Sequence, residues 1–409
     1  MMKRITSILT VTLLLLLVAS SGAFAEGGKI RFGNLALIPG LSVQGIHDDN
    51  IYLGDGSNTV GEKEESDWIT HVKPGMMLEL TFPDRGKMMA GYQGDFAYYS
   101  DNTDNDWETH KGLFSLNYDS PGGLIAGINN TYADAEDPYG SAEQYGIGTL
   151  TKRWNNDLAS KIGFNFSDRF KILAFYNYYK QDYDNDVRDY TQDYNSNEFG
   201  AGFEVKVMPK TWMFLRYYYG TQKYFTHRSG VTSSNDASFD WHRANTGLGW
   251  DSGGKLAGEL NFGYQWKDYD NRLDVNGNEY DDRNTWIAST SVDFMPTETT
   301  TLSVSIARAL RQAGSDSNDY FEDTGYGLSV SQKILSKLLV KAGYNYSEND
   351  YFVGTRKDDN HTLNASLQFE LIKDILKAGA EYVYKEKNSN DPGSDYKDNQ
   401  FIISLDATY

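Results

Sequence analysis

The chain has 409 residues, a formal net charge of −19 and a mean hydropathy of −0.58, with 30 Tyr, 20 Phe and 8 Trp beside 39 Gly, 8 Pro and no Cys. This composition excludes a disordered chain, a disulfide scaffold, thiolate metal sites and cysteine nucleophiles, and its acidity argues against nucleic acid as a partner. Abundant tyrosine and glycine suit half-buried strands that end at a membrane interface.

Residues 1–25 read as a secretory leader: Lys3 and Arg4, an apolar run from Ile8 to Val18, then Ala23-Phe24-Ala25 before Glu26. The run is too short for a membrane-spanning helix, which needs roughly 20 apolar residues. The expected domains are therefore a signal peptide at 1–25 and one exported domain at 26–409, either soluble or a transmembrane β-barrel.

Along the exported part, apolar and polar residues alternate with the period of a two-faced strand. Met88, Ala90, Tyr92, Phe96 and Tyr98 oppose Lys87, Gln93 and Asp95, and Leu260, Phe262, Tyr264 and Trp266 oppose Glu259, Asn261, Gln265 and Lys267. The same pattern recurs over Leu363–Leu371 and Leu376–Lys385. Short turns fall at Pro83–Gly86, Ser120–Gly123, Ser167–Arg169, Met208–Thr211, Asp251–Gly254, Met295–Glu298, Ile334–Lys337 and Lys373-Asp374. Between them lie Asp/Asn-rich loops at 53–64, 101–105, 134–144, 184–195, 227–237, 268–282, 312–320, 350–360 and 386–398. Eight short and nine long connectors join eighteen strands, or sixteen if the segment Tyr145–Phe166 is misread.

The spacing of successive short turns, roughly 40 residues, also matches a β-propeller repeat. A blade would need four strands in that length, whereas each period here holds two strands of about 12 to 16 residues, long enough to cross a bilayer at a tilt. A soluble sandwich would leave sheet edges to protect, and closure satisfies so many strands better. The predicted fold is an all-β, antiparallel up-and-down transmembrane barrel.

The last strand puts Phe401, Ile403, Leu405, Ala407 and Tyr409 on one face and ends on an aromatic. It resembles the C-terminal signal read by the barrel assembly machinery of Gram-negative bacteria, which implies a bacterial outer-membrane location. Tracts such as Ser167-Asp168-Arg169-Phe170, followed by Tyr176-Asn177-Tyr178-Tyr179-Lys180-Gln181-Asp182-Tyr183, resemble the putative β-barrel porin 2 family. That resemblance implies a link to exopolysaccharide synthesis and export.

The polar faces supply the candidate lumen: Glu79, Asp95, Glu198, Glu204, Glu259, Asp293, Glu370, Glu381 and Asp406, with Lys161, Lys171, Lys206, Arg216, Arg243, Lys267, Lys341, Lys377 and Lys385. Charges of both signs facing one lumen would set the field of a wet channel; alternatively they pair across strands and partly fill it. Acidic and aromatic residues interleave in the loops, with Tyr183, Tyr190, Tyr269, Tyr280, Asp281 and Tyr320 as candidates to stack on sugars or to form an interfacial girdle. Asp101–Asp106 and Asp274–Glu279 carry hard oxygen ligands without EF-hand spacing, so solvated loops are expected, with loose divalent bridging to lipopolysaccharide as the functional alternative and no resident metal or cofactor. The six histidines are scattered and no hydrolase or nucleotide motif is present, so an enzyme is not expected.

The expected function is a pore for hydrophilic solutes or a polysaccharide. Its expected partners are membrane lipid, lipopolysaccharide, the assembly machinery and an export system. A non-conducting barrel whose loops dock polysaccharide, and a barrel-embedded hydrolase, stay open as alternatives.

Overall fold

The computed structural model describes residues 29–56, 63–138, 150–184, 193–225, 232–234, 236–250, 253–273, 277, 279–280, 282–312, 320–352 and 355–409; the expected leader lies outside them. A three-residue strand, β1 (Ile30–Phe32), precedes eighteen long ones. These are β2 (Leu35–Asp48), β3 (Asp67–Phe82), β4 (Gly86–Tyr99), β5 (Trp107–Asp119), β6 (Leu124–Asp137), β7 (Thr151–Ser167), β8 (Phe170–Tyr183), β9 (Tyr194–Met208) and β10 (Thr211–Tyr224). Then follow β11 (Phe239–Trp250), β12 (Leu256–Tyr269), β13 (Arg283–Thr297), β14 (Thr300–Gln312), β15 (Tyr320–Ile334), β16 (Leu338–Tyr351), β17 (Lys357–Ile372), β18 (Leu376–Ser389) and β19 (Tyr396–Thr408).

Each long strand pairs antiparallel with its chain neighbours, and β19 returns to β2, so eighteen strands close a cylinder without a free edge. The sixteen-strand alternative fails, because the described part of Tyr145–Phe166 forms one strand, β7. The β2–β19 ladder ends at Gly40↔Thr408, and β1 takes up the rest of that edge, pairing Ile30 with Leu37.

Connectors of two to five residues define one rim and the longer loops the other. The three-residue turn between β15 and β16 uses left-handed backbone: Leu335 and Ser336 have φ of 50° and 61°, the positive pair of a type I′ turn closed by the Lys337 N–H on Ile334 O. Several strands run farther towards the long-loop rim than their polarity suggests. β6 continues to Asp137, β17 starts at Lys357 and β18 reaches Ser389, because beyond the apolar band a strand can be polar on both faces while its ladder hydrogen bonds persist. The tip at 101–105 includes a short 3-10 turn, η1 (Thr103–Asn105), held by Asp67, which accepts the backbone N–H groups of Asp101 and Asn102.

Alternate residues turn apolar side chains outward, among them Leu215, Leu328 and Ile403, which are 63%, 60% and 64% exposed. Towards the long-loop rim this outer surface carries tyrosines that reach across to the next strand. Tyr92 meets His110 Nδ1 at 2.7 Å, Tyr217 meets His242 at 2.6 Å and Tyr344 meets His361 at 2.8 Å. These three pairs sit on β4/β5, β10/β11 and β16/β17, six strands apart around the cylinder.

Candidate functional site in the barrel lumen

The register fixes which side chains face inward. Glu79, Asp95, Lys161, Glu198, Glu204, Arg216, Arg243, Glu259, Lys267, Asp293, Lys341, Glu370, Lys377 and Glu381 all lie on the face opposite the exposed apolar residues. Lys171, Lys206, Lys385 and Asp406 share it. The structure divides these residues between two unlike walls.

On β8–β12 the wall is built in layers. Glycines open the first, where a neighbouring ring lies flat on bare backbone: a Cβ on Gly220 would stand 2.1 Å from Trp241 and one on Gly200 2.4 Å from Tyr218. Phe214 and Phe175 lie likewise beside Gly247 and Gly202. Cations cover these rings. Arg243 lies 4.5 Å over Tyr218, Arg216 3.9 Å over Phe214 and Lys171 3.5 Å over Trp212. Carboxylates then bind the cations. Arg216 bridges Glu204 at 2.7 Å and Glu259 at 2.9 Å, while Arg243 meets Glu198 at 2.8 Å. Glu198 also accepts from Trp241 Nε1 at 3.1 Å and Asn177 Nδ2 at 2.9 Å. Trp212, Phe214, Tyr218 and Trp241 are buried, so this arc of the interior is packed like a core.

The same wall is thickened at the long-loop rim. Lys267, 1% exposed, lies 3.9 Å from the centre of the Phe239 ring, 4.2 Å from Tyr269 and 3.0 Å from Tyr320, three rings that contact one another. Tyr320 enters from β15, three strands beyond β12, and Phe352, whose N–H donates to its carbonyl, packs beside it under Arg283. Of the loop candidates, Tyr183 and Tyr320 are buried and Tyr269 and Tyr280 stack on each other at 4.6 Å. Tyr190 and Asp281 lie outside the described residues.

The wall of β14–β19 and β2–β5 is shallow. Ser305, Ala307, Gly325, Asn345, Ser347, Asn360 and Thr362 line a depression of about 200 Å³. Lys341 and Glu381 flank another of about 160 Å³, and Lys73, Asp95, Lys111 and Asp406 a third of about 350 Å³. Among the described residues Lys161, Lys341, Lys377 and Glu381 have no ion-pair partner. Others are engaged: Asp95 binds His71 at 2.8 Å, Glu79 binds Lys29 at 2.9 Å, Asp293 accepts from Ser303 at 2.5 Å, and Glu370 accepts the Asp374 N–H at 2.8 Å. Sequence reasoning missed this division. Its signal was residue size, since the inward positions of β14–β17 are mostly Gly, Ala, Ser, Thr and Asn while those of β8–β12 hold most of the inward rings.

Phe401, Ile403 and Leu405 project outward from β19, and the Tyr409 N–H donates to Pro39 O at 2.9 Å beside β2.

A closed eighteen-strand cylinder, apolar outside and ionic within, defines a porin-like barrel of the bacterial outer membrane. The chain belongs to the family described as Putative beta-barrel porin 2, which matches residues 24–409. It is similar in fold to outer-membrane protein OpdK from Pseudomonas aeruginosa (TM-score 0.46, 10% identity, covering 91% of this chain and 99% of that one). It is also similar to OccAB4 from Acinetobacter baumannii (0.46, 12%, 91% and 98%) and to a BenF-like porin from Pseudomonas fluorescens (0.47, 9%, 91% and 99%). No curated protein matches the sequence.

Proposed function

We propose that the barrel is a passive, water-filled channel for hydrophilic solutes, with saccharides as the favoured class. The observation that carries this reading is the unequal interior. One wall spends its charges on its own ion pairs, while the other offers amides, hydroxyls and unpaired Lys341, Lys377 and Glu381 to whatever passes. Hydroxyl-rich solutes match such a surface, which can donate and accept without a strong field of one sign. Because Tyr269, Tyr280 and Tyr320 are packed together, they frame the mouth, and the amide wall does the recognising. A polysaccharide strand moving through an export assembly fits the same path. The outer apolar band would face lipid, the Tyr–His pairs lipopolysaccharide, and the C-terminal strand the assembly machinery.

Single-channel recording in planar bilayers tests the reading. The wild type should show stable open events that sugars reduce, and Asn345→Trp should lower conductance to about half or less by narrowing the open side. Lys341→Glu should shift selectivity towards cations by several-fold, since that charge has no partner to absorb the change. The packed half of the mouth favours a second reading, a non-conducting barrel whose loops dock polysaccharide or another envelope component. A silent bilayer containing demonstrably folded barrel would select it and overturn the channel.

A further inference from the structure

Where the first and last long strands meet at the long-loop rim, three carboxylates converge. Asp48 ends β2, Asp49 follows it and Asp398 lies on β19; one oxygen of each lies within 4.8 Å of the other two. Asp398 is fully buried, and Asp48 is 6% exposed. Amides orient all three. Asp48 accepts the Asn50 N–H and the Gln400 side chain, each at 2.8 Å, and Asp49 accepts the N–H and Nδ2 of Asn399 at 2.7 and 2.8 Å. Asp398 Oδ2 accepts from Lys385 at 2.9 Å and Gln400 at 3.1 Å. Its Oδ1 is buried with no donor at all.

Three carboxyl groups share one ammonium, that of Lys385, and the buried Asp398 Oδ1 is left without a partner, an arrangement that costs free energy unless a ligand fills it. Asp67, opposite Asp48, adds another carboxylate, and backbone N–H groups hold it rather than a cation.

We propose that a Ca²⁺ ion binds between Asp48, Asp49 and Asp398, with Asp398 Oδ1 as a ligand. Oxygens about 2.3–2.6 Å from one Ca²⁺ can stand up to roughly 5 Å apart, so oxygens within 4.8 Å of one another fit a single coordination sphere, and the adaptable geometry of Ca²⁺ suits carboxylates already tied to amides better than the near-octahedral demand of Mg²⁺. An ionised carboxylate that accepts one or two hydrogen bonds still has lone pairs for a metal. The amides of Asn399 and Gln400 fix the ligands as outer-shell partners do. The ion gives Asp398 Oδ1 its missing partner and joins β2 to β19 at the rim opposite Tyr409, so that the closure of the cylinder is held at both ends.

The refolded full chain in detergent tests this by thermal unfolding at neutral pH in millimolar CaCl₂, MgCl₂ or EDTA. Ca²⁺ should raise the midpoint by about 3 °C or more over EDTA, with a smaller rise in Mg²⁺. Isothermal titration with CaCl₂ should give one site per chain. Asp398→Asn removes a like charge, so it should fold with an EDTA midpoint at or above wild type, yet lose the Ca²⁺ increment and about ten-fold or more in affinity. Asp49→Asn, at the less buried ligand, should lose the increment as well. An equal wild-type midpoint in CaCl₂ and EDTA, or variants that keep the Ca²⁺ rise, would overturn the site. An equal rise with Mg²⁺ would overturn its assignment to Ca²⁺.

Discussion

Gly220→Val is expected to prevent assembly of the folded barrel, whereas Gly249→Ala on the neighbouring strand should leave it intact. The first Cβ would stand 2.1 Å from Trp241 Cζ2, a separation that no relaxation of a single atom relieves. Trp241 cannot swing away cheaply, because its Nε1 donates to Glu198 at 3.1 Å and Glu198 also holds Arg243. Ordinary overpacking costs about 1–3 kcal/mol. Here the ring, its carboxylate and the cation over Tyr218 must move together, so the loss should lie at or above the top of that range. Gly249 faces the same interior but has nothing within 4 Å of its would-be Cβ. Its change should stay within about 0.5 kcal/mol. Heat-modifiable gel mobility and urea unfolding of the two variants in parallel provide the measurement. Equal stability would mean that the rings are not seated on the glycines in solution.

Arg216→Ala should produce the second large effect. Removing the cation leaves Glu204 and Glu259 beside Phe214 with no partner of comparable strength, since Lys171 stands 3.7 Å from Glu204. Breaking a buried pair costs about 3–5 kcal/mol, and the partial exposure of Glu259 should bring this towards the lower end. The triple change Arg216→Met with Glu204→Gln and Glu259→Gln should recover part of the loss, because neither carboxylate is then left charged without Arg216, while Lys171 gives up its contact with Glu204 and keeps its place over Trp212. Channel recordings add an independent readout. The single variant gains one net negative charge in the lumen and should favour cations, while the triple variant gains one net positive charge and should shift the other way, towards anions. A single variant as stable as wild type would show that water, not Arg216, satisfies the two carboxylates.

The cylinder was legible because its information is local and repeated. An alternation such as Leu256–Lys267 specifies a strand with two chemically different faces, and the order of Pro/Gly turns and Asp/Asn loops specifies which ends are joined closely. Strand ends at the long-loop rim were less legible, because at Lys357–Asn360 the outer face is no longer apolar and the periodic signal fades while hydrogen bonding continues. The alternation also assigns each charged residue to one face of its strand. Which charge pairs with which is not legible in the same way, since Arg216 meets Glu259 two strands away through a slant set by the tilt of the sheet. Nor does the sequence show that the Tyr320 side chain reaches from β15 to rings on β11 and β12.

The layered wall also bears on how the molecule holds together. β8–β12 occupy the middle of the chain, remote from both termini, and carry most of the inward rings and the bridged ion pairs, while the strands nearest the termini meet across a seam of small and polar inward residues. Mechanical resistance is thus concentrated opposite the junction of the two ends. With the rim carboxylates stripped of Ca²⁺, heat or lateral tension should part the cylinder along β2 and β19 while its mid-chain arc keeps its curvature. A crosslink across that junction would therefore delay unfolding far more than one placed within the arc.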